Sequence, residues 1–156
     1  MVVSHQNPKN TILPIRRETI KKYLNISFAY AIAAMAGGVF YREFTKFNHF
    51  SGVTTLGKVH PHLFLLGMLT FLMIALYAAH NDLTKIKTFR AFLWTYSIGL
   101  PLTAVMMVVR GVPQVLGKDL TKAVSASISG IAGIGHILTG VGIVLLLLSL
   151  KKIAKD

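Results

Sequence analysis

The chain has 156 residues, 53% of them hydrophobic and only 14% charged, yet its formal net charge is +12. It has no cysteine, which excludes disulfides, thiolate haem ligation, cysteine metal sites and covalent haem attachment through CxxCH. The basic balance does not point to nucleic acid, because the lysines and arginines flank long uncharged runs, as they do beside membrane spans.

A span needs about 20 mostly apolar residues to cross about 30 Å of hydrocarbon. Residues 23–40, 60–79, 91–109 and 123–150 fit that description. The expected fold is therefore all-α: an integral membrane bundle of four antiparallel helices. It forms a single domain over residues 23–150, between a basic tail at 1–22 and a second basic tail at 151–156.

The first tail carries Lys9, Arg16, Arg17, Lys21 and Lys22 against Glu18. It is long for a signal-peptide n-region, so the first span is read as retained, although Ala34-Met35-Ala36 resembles a cleavage site. That span contains Ala33-xxx-Gly37 and Ala34-xxx-Gly38. Small residues at this spacing let helices approach closely in lipid, within one chain or between copies in a homo-oligomer. Tyr41, Arg42 and Glu43 mark its far end, and an aromatic, polar loop with Phe47, His49 and Phe50 follows.

The second helix opens on His60-Pro61-His62 and continues without a formal charge to Ala79. Proline is at home in a first turn, where its missing N–H would lack a partner anyway. A helix that begins instead at Thr54 or Thr55 places Pro61 inside it, beside the histidines. The third span holds Trp94, Tyr96 and an internal Pro101, and is expected to close at Arg110 before a loop that starts with Gly111-Val112-Pro113. The fourth run is longer than a bilayer needs, so it tilts or begins above the membrane surface.

Eleven lysines and arginines belong to the tails and the middle loop, against six in the other two loops. The positive-inside rule then puts both termini in the cytoplasm, with the protein multi-pass in the membrane. His60, His62, His136, Arg42 and Arg110 all fall in the outer half.

Ionisable side chains at membrane depth mark functional sites. His136 has Ala132, Gly133, Thr139 and Gly140 as same-face neighbours, none larger than threonine. Such a groove admits a flat macrocycle; it also suits tight helix packing with a histidine bonding across it. His60 and His62 are two residues apart, about 200° around a helix, so they point to different faces. His5, His49 and His80 lie in the tail and loops and are read as solvated.

Imidazole suits iron, copper and zinc. Zinc wants three or four ligands, and the five acids, Glu18, Glu43, Asp82, Asp119 and Asp156, all lie outside the apolar runs. Haem needs only one or two axial nitrogens, and Met106 or Met107 is an alternative axial ligand. The ligand candidates are thus His136 and one of His60 and His62, with Arg110 and Arg42 placed to pair with haem propionates. A proton or metal-ion pathway is less well supported, since no carboxylate accompanies the histidines. Phosphate loops, GxSxG, HExxH and the Rossmann fingerprint are absent, and no nucleophile with a positioned base is present, so no catalysis is expected of this chain alone.

The stretch His60-Pro61-His62-Leu63-Phe64-Leu65-Leu66-Gly67 resembles the HxHxxxLG helix of haem–copper oxidase and nitric oxide reductase catalytic subunits. The resemblance implies that the two histidines serve haems on opposite faces of one helix, with His62 in the place of the low-spin ligand. Those subunits have about a dozen spans and further copper-binding histidines, for which this chain has no candidates. With Gly37-Gly38-Val39-Phe40-Tyr41-Arg42-Glu43-Phe44 and Gly133-Ile134-Gly135-His136, the whole chain is similar to a family of small bacterial four-helix membrane proteins of unknown function. The expected function is a small b-type haem protein for electron transfer, haem sensing or haem delivery, working with a membrane redox or haem-handling partner. The alternative is a cofactor-free structural or interaction subunit of a larger membrane complex.

Overall fold

The computed structural model describes the backbone of residues 8–154 and the side chains of residues 17–154; His5, Lys9, Arg16 and Lys155 therefore lie outside the described side chains. Among the described residues the structure is entirely helical, with four helices long and apolar enough to cross a membrane. The first helix runs Pro8–Phe47, the second Thr55–Ala78, the third Lys87–Val115 and the fourth Lys122–Ile153. Large apolar side chains such as Phe28, Trp94 and Ile137 lie exposed on the outside, which suits lipid rather than water as the surrounding solvent.

All four helices extend past the apolar runs at one end or both. At the end of the first, His49 adopts a left-handed conformation with φ 50°. Its N–H donates to Lys46 O and that of Phe50 to Thr45 O, at 3.1 and 2.9 Å. This is the double bond pattern that closes a helix on a left-handed residue, and it gives His49 a structural role. The third helix does not end at Arg110 but continues through Gly111-Val112-Pro113, against the expected loop. The loop before the second helix supplies the explanation. Thr54 Oγ1 donates to Gly111 O at 3.1 Å and Thr55 Oγ1 to Met107 O at 2.8 Å, so this last stretch is held by neighbours as well as by its own ladder. A Cβ on Gly111 would sit 2.7 Å from Leu56 N, so only glycine permits this approach.

The second helix changes pitch along its length. A 3-10 turn at Thr55–Lys58 leads into a short α segment, Val59–His62, then a π-helical segment, Leu63–Leu69, and α again over Thr70–Ala78. Pro61 therefore lies inside the helix rather than at its start.

Two clusters hold the bundle. Tyr23, Phe71, Phe89, Phe92 and Tyr96 form an aromatic core, with Leu100 and Leu146 beside them. A smaller cluster, Ala34, Val59, Leu63, Ala104 and Met107, occupies the histidine half. The third and fourth helices pack most closely, the first pairs with the second, and the second and fourth barely touch. His62 and His136 lie along that open seam.

Candidate functional site

His62 on the second helix and His136 on the fourth face each other across the seam, with ring centres 6.4 Å apart and planes at 83°. The helices hold each ring in the same way. His62 Nδ1 lies 2.8 Å from Lys58 O, and His136 Nδ1 lies 2.8 Å from Ala132 O, each one turn back along its own helix. A carbonyl can only accept, so both Nδ1 atoms carry a proton, and in the neutral imidazole Nε2 is then the nitrogen with the free lone pair. That is the arrangement in which metal-binding histidines are usually held: one nitrogen anchored to a carbonyl, the other left to ligate.

The rings border a cavity of about 300 Å3, open on one side and lined also by Thr55, Lys58, Met106, Met107, Arg110 and Ala132. Arg110 reaches across to the fourth helix, where its Nη2 donates to Ser129 Oγ at 2.6 Å and to Ser125 O at 3.1 Å. On the fourth helix a Cβ added to Gly133 or Gly140 would meet nothing within 4 Å. Thr139 is instead buried, and Gly135 is pressed against Thr103. The small residues around His136 thus divide between a packing face and an open one.

Of the five candidate residues, the structure brings His62, His136 and Arg110 together. His60 turns to the first helix, where Gly38 gives it room: a Cβ there would lie 3.6 Å from His60 Cγ. Its buried Nδ1 has no hydrogen-bond partner. Arg42 is not part of the cavity lining; its exposed guanidinium lies 3.9 Å from Glu43. Lys58 takes the place of a second basic residue at the cavity. It precedes His62 by four positions, the spacing that puts two residues on one helix face, so its presence was readable from the sequence. Among the described residues no group of three histidine, cysteine or acidic side chains is placed to hold a metal ion.

A family model described as "Protein of unknown function (DUF2871)" matches residues 20–153. No curated protein and no solved structure matches the chain, so the likeness to haem–copper oxidase subunits rests on the histidine helix alone. The match spans all four membrane-length helices, and the chain belongs to the DUF2871 family.

Proposed function

We propose that this protein is a small membrane b-type haem protein, with His62 and His136 as axial ligands. The observation that carries the reading is the spacing and anchoring of the two rings. With metal–nitrogen distances of about 2.0–2.1 Å, and each ring centre about 1.1 Å behind its nitrogen, two imidazoles on opposite sides of one ion have centres about 6.3 Å apart. The pair here stands at 6.4 Å. Both rings already carry their proton on Nδ1, so ligation through Nε2 requires no change of tautomer.

A donor set of two imidazoles falls short of a closed zinc site but is complete for haem, whose macrocycle brings its own equatorial nitrogens. The open space beside Gly133 and Gly140 leaves room for the edge of a flat ring. Lys58 and Arg110 are the cations for its carboxylates. When bound, haem iron supplies a one-electron couple; Met106, Met107 and Ala132 would keep its surroundings apolar. Electron transfer, haem sensing and haem delivery all use such a site. The bundle is read as antiparallel with both termini cytoplasmic, which puts the site in the outer half of a bacterial cell membrane, within reach of a redox or haem-handling partner.

The competing reading is a structural subunit in which the two histidines bond to a larger partner. The spectrum of the purified protein, produced with ample haem, separates the two. A Soret band with sharp α and β bands on reduction is expected. A colourless protein supports the structural subunit, and copper without a Soret band would assign the two imidazoles and the methionine sulfurs to a bare soft ion instead.

A further inference from the structure

His62 is directed at His136 from the short α segment Val59–His62, and the π-helical segment Leu63–Leu69 follows at once. Both ends of this stretch are fixed. Upstream, Thr55 is tied to the third helix: its Oγ1 donates to Met107 O at 2.8 Å and its N–H to Gln114 Oε1 at 2.9 Å. Downstream, Phe71 is 1% exposed and stacks on Tyr30 with ring centres 5.7 Å apart. Between these anchors the chain has more residues than an α ladder accommodates, and a π turn, with its i→i+5 bonds, takes up the surplus.

The widened turn is clasped from two sides. Tyr96 of the third helix, fully buried, donates its hydroxyl to Leu66 O at 2.7 Å. Ser27 of the first helix donates to Met68 O at 2.8 Å. Gly67 between them lies so close to Tyr30 that a Cβ would overlap its ring. Two foreign hydroxyls on carbonyls of a single helix turn are not needed to hold an ordinary α ladder, which satisfies its own carbonyls.

We propose that the π segment is a register device that takes up one surplus residue between two fixed ends, and that Tyr96 and Ser27 are positioning residues that keep His62 turned toward His136. If the segment relaxes to α without losing a residue, everything upstream rotates by about 100° relative to the core. Because His60 and His62 lie about 200° apart, that rotation would leave neither histidine facing the fourth helix. Removing one residue from the segment, by contrast, makes it α-helical while keeping both ends in place.

The test compares three chains: Tyr96→Phe with Ser27→Ala, the same pair with Leu65 removed, and the removal of Leu65 alone. Leu65 is 61% exposed, so its loss leaves the core intact. Two readouts are used. One is thiol crosslinking of His62→Cys with His136→Cys in a chain that has no other cysteine; the other, resting on the haem reading, is the six-coordinate spectrum of the chain with its histidines. The double variant should lose about tenfold in both, the scale of one to two ordinary hydrogen bonds. Removing Leu65 from that variant should restore both, and removing it from the unaltered chain should change neither. A merely destabilised bundle would not be rescued by a shorter helix. An unchanged double variant, a failed rescue, or lost crosslinking on removal of Leu65 alone overturns the proposal. A colourless unaltered chain that still follows this crosslinking pattern overturns the haem reading and leaves the register device standing.

Discussion

Gly135 lies directly against Gly99: a Cβ on Gly135 would stand 3.2 Å from Gly99 O and 2.7 Å from Thr103 Oγ1. This approach of the third and fourth helices sets the depth at which His136, the next residue, enters the seam. Gly135→Val should therefore destabilise the bundle by about 1–3 kcal/mol through overpacking. Gly130, beside which a Cβ would meet nothing within 4 Å, is the control. Gly130→Ala should be neutral or stabilising by about 0.5–1 kcal/mol, since alanine is the better helix former. Thermal unfolding in detergent measures both, and a Gly135→Val chain as stable as the original would refute the packing account.

The histidines should separate by direction, not by sequence proximity. His136→Ala and His62→Ala are each expected to abolish six-coordinate haem. His60→Ala should leave the reduced spectrum in place, because His60 faces Gly38 on the first helix. An unchanged spectrum in His136→Ala would remove the centre of the functional proposal. Loss in His60→Ala with retention in His62→Ala would reverse the facing of the second helix.

Cations at the cavity should matter where the structure puts them. Arg110→Ala with Lys58→Ala is expected to weaken haem retention about tenfold or more, the loss of two charge-assisted contacts, while the helical circular dichroism stays unchanged. Arg42→Ala should have no such effect, since Arg42 is absent from the lining and faces Glu43. Equal retention across these variants, measured by transfer of haem to an acceptor protein, would show that the carboxylates lie elsewhere.

For topology, single cysteines replacing Lys118 and Lys152 should react with an impermeant thiol reagent from opposite sides of the membrane. The cysteine-free background makes the labelling unambiguous. Same-side labelling would contradict the antiparallel bundle with cytoplasmic termini.

The spans were legible because nothing but lipid explains uncharged runs of that length, and their number came out right. Their ends were not. The third helix continues through Pro113 where Thr54 and Thr55, distant in sequence, hold Gly111 O and Met107 O; a proline reads as a stop only when no neighbour is in view. That a histidine of the second helix stands near His136 is readable from the runs and the small residues around His136, but the choice of His62 over His60 is not, and the partition of those small residues into Gly135 packed and Gly133 open depends on which face the third helix covers. The π segment could not be read at all: Leu63–Leu69 is apolar on every side, so the pattern has no period for an extra residue to disturb. Arg42 reads as a site residue because a charge at a helix end looks alike from any azimuth, while Lys58 is one of the six basic residues of the other two loops, and its spacing from His62 gives its direction.

The seam between the second and fourth helices is open on one side, and Ile134 and Ile137, close to His136 along the fourth helix, are exposed. On the proposed reading, a hydrophobic guest dissolved in the bilayer would meet His62 and His136 by sideways diffusion within the leaflet. Its entry would separate no packed pair of helices, since the two walls of the seam scarcely touch to begin with. Occupancy would then follow how much of the guest partitions into the surrounding lipid, and a second membrane protein placed against that opening would control traffic through it without altering the bundle itself.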